Sequence, residues 1–133
     1  MSKFEGKDVT LNYDPLADAM YIKRKNIEAE YDHTIEVDNI YLDMGVTKTG
    51  EKLITGVEII DASEIFGVTK FDLSHIIKIS GLIEVYKETV KINIILEVLK
   101  RNKPFEKSIN AKTLNEYGLS NESFNIQATS AVA

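Results

Sequence analysis

Strict alternation of apolar and polar residues, rich in β-branched side chains, recurs along the chain and most narrows what it can fold into. In residues 40–47, Ile40, Leu42, Met44 and Val46 fall on one side, with Tyr41, Asp43, Gly45 and Thr47 on the other. In residues 90–99, Val90, Ile92, Ile94, Leu96 and Val98 alternate with Lys91, Asn93, Ile95, Glu97 and Leu99. A period of two belongs to a pleated strand. A helix through the second segment would group Ile92, Ile95, Leu96 and Leu99, but the β-branched content favours strand. Shorter stretches at 9–13, 19–25, 34–37, 52–60, 82–86, 105–109 and 123–128 also read as strands. The expected fold class is α+β, mainly β: an antiparallel meander sheet followed by a β-rich extension with one or two short helices.

Turn chemistry divides these strands. Asp14-Pro15 suits a type I turn, because Pro presets φ and the carboxylate accepts a nearby backbone N–H. Residues 26–33 are charged and aperiodic, and read as loop. Residues 48–51 form a hairpin loop with Gly50 available for positive φ. Gly56, inside a strand that puts Leu53, Thr55, Val57 and Ile59 on one side, suggests a bulge or a close backbone approach. Residues 61–67 read as one helical turn with a capping side chain before it and Gly67 ending it. Residues 71–79 fit a short helix or a strand equally. Asn102-Lys103-Pro104 marks a turn, and Asn110 is expected to cap a short helix ending at Gly118. Residues 129–133 have nothing to pin them and are expected to fray. Two units result: a sheet unit over 1–66 and a β-rich extension over 67–133, packed together as one compact domain.

Composition removes several kinds of chemistry. The chain has 133 residues and no Cys, so disulfides, thiolate metal sites and cysteine nucleophiles are excluded, which suits a reducing cytoplasm. Residues 1–8 mix charged and small residues where a secretory signal needs an apolar core, and none is expected. The apolar-rich stretch 90–99 is interrupted by Lys91, Asn93 and Glu97 and is about half a membrane helix in length, so a soluble protein is expected. The formal net charge of −5 opposes bulk electrostatic binding to nucleic acid or anionic lipid. The charge is uneven: residues 1–66 hold 7 Lys/Arg against 14 Asp/Glu, while residues 67–133 hold 9 against 7. Attraction between the halves, or ordinary surface variation, accounts for that split.

The segment Tyr13-Asp14-Pro15-Leu16-Ala17-Asp18-Ala19-Met20-Tyr21-Ile22 is followed by Leu42-Asp43, Gly50, Gly56-Val57-Glu58-Ile59 and Ala62-Ser63. In this order the motifs resemble those of a prokaryotic family, the domain of unknown function numbered twenty-two eighty-three. The resemblance spans about residues 9–64, half the chain, and Met20 stands where Leu is commoner. It implies a small antiparallel sheet and brings no activity, substrate, cofactor or catalytic residue. Small members of this kind look like partner or antitoxin-type proteins.

Asp14, Asp18, Asp43 and Glu58 all fall within these motifs. If Asp43 and Glu58 pair across the hairpin, with Asp14 and Asp18 at its rim, their oxygens could hold Mg²⁺ or Ca²⁺ for phosphoester hydrolysis. The plainer expectation is that Asp14 shapes a turn, Asp18 bonds local backbone, and the other two line a wet sheet face. His33, in a charged loop after Asp32, and His75, in an apolar segment after Ser74, match no recognisable catalytic spacing and suit surface or capping roles. Lys100, Arg101, Lys103, Phe105 and Lys107 form the one basic cluster, which could stack on and neutralise a single-stranded nucleic acid. The overall acidity makes a charged hairpin tip the favoured reading and disfavours nucleic acid as a partner.

Apolar residues on both faces of the strands carry the functional expectation. Tyr21, Tyr41, Ile54, Ile95 and Leu99 point away from the main apolar faces and demand a cover, from the other half of the chain or from a second copy. The sequence thus points to a non-enzymatic interaction or antitoxin-like regulatory module that self-associates, with a dimer favoured. It needs no cofactor, and a small protein is its other candidate partner. A metal-dependent phosphoester hydrolase and a single-strand nucleic-acid binder are the alternatives.

Overall fold

The computed structural model describes residues 2–6 and 8–129. Along them run β1 (Ser2–Glu5), β2 (Val9–Asp14), β3 (Ala19–Arg24), β4 (Glu30–Val37), β5 (Ile40–Val46) and β6 (Lys52–Ile60). Two short helices follow, α1 (Ala62–Phe66) and α2 (Lys70–Leu73), and then β7 (Ile76–Val85), β8 (Thr89–Lys100), β9 (Lys103–Leu114) and β10 (Glu122–Thr129). The α+β, mainly β class is the one observed. The strands form one sheet in the order β4-β5-β6-β3-β2-β1-β10-β7-β8-β9, with antiparallel neighbours throughout. No helix among the described residues is long and apolar enough to cross a membrane. Of the tail expected to fray, Thr129 instead ends β10, paired with Lys78; residues 130–133 lie outside the described residues.

The sheet curls until its two edge strands, β4 and β9, touch. Its inner face therefore packs against itself. Leu11, Tyr13, Met20, Leu42 and Ile59 from the first six strands join Ile79, Ile83, Ile94 and Ile126 from the last four in one buried cluster. Each such side chain contributes about 2 kcal/mol on leaving water. Side chains also tie strands that are not neighbours. Arg24 of β3 meets Glu122 of β10 at 2.5 Å and lies 3.9 Å above the Phe124 ring. Beyond β9, Leu119 is buried and bridges Lys52 at the start of β6, where the Ser120 N–H donates to the Lys52 carbonyl over 3.0 Å.

Four local expectations are corrected. Residues 30–33 belong to β4 rather than a loop: Glu30 pairs with Val46 and Tyr31 with Gly45. A sheet edge tolerates charge and gains protection from it, so charge there does not break a strand. Residues 110–114 continue β9 instead of starting a helix, because Ala111 falls opposite the buried Ile92 and extends the inner face. Asn110 does not cap; it accepts a 2.6 Å hydrogen bond from the Asn93 amide. The ambiguous 71–79 segment splits between α2 and β7.

The fourth correction concerns Ile54. Asp43 pairs with Gly56, but Met44 pairs with Ile54, so Thr55 is an extra residue in β6. One inserted residue reverses which side the following side chains face. Ile54 turns into the core, fully buried, and cannot belong to an outer interaction surface.

Candidate functional site

The turn between β2 and β3 carries the first of two carboxylate sites. Asp14 accepts the Leu16 N–H at 3.0 Å and the Ala17 N–H at 3.4 Å, which is the turn-shaping role. Asp18, with φ 50° and 8% exposed, faces inward. Its Oδ1 accepts the Tyr13 hydroxyl at 2.7 Å and the Ser63 N–H at 3.1 Å, and its Oδ2 accepts the Ser63 hydroxyl at 2.7 Å. Burial alone would raise the Asp18 pKa, but the bonds from Ser63 and Tyr13, with the Lys70 charge nearby, hold it below its usual value. Burial, followed by the bond to Asp18, pushes the Tyr13 phenol above its ordinary range.

Asp18 also replaces the cap expected from α1's own end. Asp61 sits at the N-cap with φ 55° and makes no capping side-chain bond; Asp18 bonds the Ser63 N–H from across the fold. A carboxylate at a helix start satisfies backbone donors that would otherwise lose their water. The second helix carries its own carboxylate. Thr69 and Asp72 form a reciprocal capping box at the start of α2.

The second site lies on the outer face of the sheet. There Glu36, Tyr41, Glu58, Tyr21 and Asn12 stand opposite one another in a row crossing β4, β5, β6, β3 and β2. The adjacent row holds Thr34, Asp43, Gly56, Lys23 and Thr10. Gly56 leaves room for the Asp43 carboxylate, whose Oδ2 lies 3.4 Å from where a Cβ would stand. The Thr34 hydroxyl donates to Asp43 Oδ1 over 2.7 Å. Glu58 is half-buried between the two tyrosines. Burial first, then its hydrogen bond to Asp43 and that group's charge, raises the Glu58 pKa, with Lys23 opposing. The pair favours holding one proton between two carboxyl groups.

The four carboxylates predicted to share a metal thus divide between two places. Asp43 and Glu58 meet as expected; Asp14 and Asp18 are bound up in the turn and the α1 cap. Among the described residues, no group of three or more His, Asp or Glu side chains is placed to hold a metal ion.

Tyr21 and Tyr41 are half-buried on the outer face. Ile95 is half-buried on the outer face of β8, between Ser80 and Ser108, and Leu99 is 51% exposed. They belong to the second half of the sheet and do not extend the tyrosine row. His33 contacts Asp32 at 2.6 Å and the Tyr117 ring, while His75 Nδ1 lies 2.8 Å from the Phe71 carbonyl at the end of α2. Capping describes the second.

Arg101 and Asn102 make the β8–β9 turn, both with positive φ. Lys100 Nζ stands 5.3 Å and Lys107 Nζ 5.0 Å from the centre of the Phe105 ring, and Lys100 also lies 3.3 Å from Asp72. Tyr13, Ser63 and Thr34 were not singled out as site residues by sequence reasoning. The Tyr-Asp-Pro and Ala-Ser words of the resemblance are the signal that could have found the first two.

No family model matches the chain, and no solved structure matches it. Two archaeal proteins are similar to it over most of its length. One, from Methanosarcina mazei, is provisionally named a hypoxanthine phosphoribosyltransferase; it is 33% identical over 108 residues, covering 81% of this chain and 83% of its own. The other, an uncharacterized protein of Methanocaldococcus jannaschii, is 30% identical over 112 residues, covering 84% of this chain and 91% of its own.

Proposed function

The chain belongs to the family of these two archaeal proteins, and from that premise we propose that it is a non-enzymatic, self-associating interaction module of the regulatory or antitoxin-like class. Its contact surface is the outer face of β3, β5 and β6. The observation that carries this reading is the Tyr41–Glu58–Tyr21 row. Tyrosine supplies large contact area with a polar tip, and is enriched in protein interfaces for that reason. Between two such rings, a carboxyl group whose pKa is raised by burial and by Asp43 loses its charge more readily than a free one, which suits a surface meant to lose water. Lys23 and Glu36, both exposed, form a charged rim around it.

The phosphoribosyl transfer in the Methanosarcina relative's name is not carried over. Helix N-termini are the usual cradle for phosphate. Here α1 has Asp18 at its first turn and α2 has Asp72, so a phosphate would meet negative charge at both.

Size-exclusion chromatography with light scattering tests the reading. A dimer is expected at micromolar concentration, tightening as pH falls toward the raised pKa of Glu58. The double variant Tyr21→Lys/Tyr41→Lys is expected to be monomeric with an unchanged circular dichroism spectrum. A wild-type monomer across that range rejects the proposal.

A further inference from the structure

Strand geometry sorts the basic cluster in a way its linear order hides. Along β9, Lys103, Phe105 and Lys107 share the face that continues into Ile109 and the buried Ala111, while Pro104, Glu106 and Ser108 occupy the other. Lys100 pairs with Lys103 and lies on the same side of β8 as the buried Val98 and Leu96; Glu97 pairs with Glu106 on the opposite face. Glu97 and Glu106 are thereby turned away, and two lysines, Lys100 and Lys107, flank one aromatic ring, with Lys103 opposite Lys100 on the same face. Phe105 is 38% exposed, with a lysine nitrogen on the Lys100 side and another on the Lys107 side.

The two helices stand beside this strip. α1 packs on β9 and α2 on β8, and beside them Lys103 and Phe105 are exposed while Lys100 and Lys107 are half-exposed. Lys107 Nζ is 4.0 Å from where a Cβ on Gly67, at the end of α1, would lie. On α2, Asp72 reaches Lys100, and the preceding Phe71 is 70% exposed with its ring centre 4.2 Å from that of His75. Two flat apolar rings and three lysines, one of them paired with Asp72, therefore occupy one end of a chain whose net charge is −5.

We propose that this strip, Lys100, Lys103, Phe105 and Lys107, binds a single-stranded nucleic acid, with the lysines on successive phosphates and the Phe105 ring stacked on a base. This surface is separate from the tyrosine row and does not depend on it. Spaced cations alone would suit any polyanion; the exposed ring among them favours one that carries bases. Each phosphate neutralised releases counterions, so three contacts give a slope of log K against log salt of about −2, or about 16-fold weaker binding for a fourfold rise in salt.

The test is fluorescence anisotropy with labelled oligouridylate and oligothymidylate of about twelve nucleotides, at about 50 and about 200 mM salt, using the full chain. Binding of either strand with that salt slope is expected. Lys103→Gln/Lys107→Gln should weaken it about tenfold or more, Phe105→Ala about fivefold or more, and Glu106→Gln on the reverse face should not weaken it. Thermal unfolding of each variant separates lost contact from lost fold, and Lys103→Gln alone, on an exposed side chain, serves if the double variant fails to fold. Three results overturn the proposal: no binding at about 100 µM protein, equal competition by polyglutamate with no effect of Phe105→Ala, or unchanged binding in the lysine variants.

Discussion

Two carboxylates, Asp18 in the β2–β3 turn and Glu58 on the outer face of β6, have pKa values shifted in opposite directions, down and up. Burial pushes both toward the neutral acid. Asp18 receives two hydroxyls and a backbone N–H, and those donors stabilise its charge more than burial opposes it. The neighbour facing Glu58 is a second carboxylate, and the hydrogen bond between them needs the proton. Partner chemistry, rather than depth, decides the sign. One site thus acts as a fixed negative pin inside the fold, and the other as a surface whose charge can be withdrawn.

Removing the pin should have the largest effect. Asp18→Ala leaves the Tyr13 hydroxyl and Ser63 donors without an acceptor, and is expected to lower the unfolding free energy by about 3 kcal/mol. Denaturant titration measures it; a loss well under about 1 kcal/mol would remove Asp18 from the comparison. The sign of its pH dependence is also set. A lowered folded pKa contributes stability above the ordinary carboxylate value, and that contribution is lost as pH falls through the folded value.

Glu58 runs the other way. Its folded pKa is raised, so the folded chain holds the proton more tightly than the unfolded chain. The Glu58 contribution to stability is therefore full below the ordinary value of 4.5 and is lost as pH rises through the raised value. Glu58→Gln, which keeps the neutral form, should match wild type near pH 4 and melt at a higher temperature at pH 8. Equal melting at both pH values would erase the contrast with Asp18. The smallest effect belongs to Thr34→Val at the exposed rim, where losing the 2.7 Å bond to Asp43 should change stability by about 0.5 kcal/mol or less. A larger cost would show that the outer row is as tightly built as the turn.

Much of the strand pattern was legible because side-chain alternation is local. Residues 40–46, 90–98 and 123–128 alternate in sequence and lie in β5, β8 and β10, and Gly67 ends α1 as read. The misreadings have physical causes. Glu30 to His33 carry charge that an edge strand accepts. Asn110 sits in a strand because its neighbour Ala111 meets Ile92, a contact with a distant residue. Gly56 flagged an irregularity, but which residue was inserted depended on how β5 matched β6; Ile54 was therefore assigned to the wrong face.

The candidate sites were legible only as lists. The basic cluster read as a mixture of signs, yet its lysines separate from Glu97 and Glu106 once β8 and β9 are paired. Asp14, Asp18, Asp43 and Glu58 were read as one group, and the fold divides them between the β2–β3 turn and the outer face.

By itself the sequence determined the strand-rich class, the turn at Asp14-Pro15 and the helical stop at Gly67, because each depends on backbone preferences and side-chain order within a few residues. Tertiary structure decided the curling of ten strands around one core, the inward turn of Ile54, and the opposite pKa shifts of Asp18 and Glu58. Those outcomes depend on partners brought close by folding, such as Ser63 for Asp18 and Asp43 for Glu58. A carboxylate's charge is set by the donors and charges within a few ångströms, which linear order does not specify.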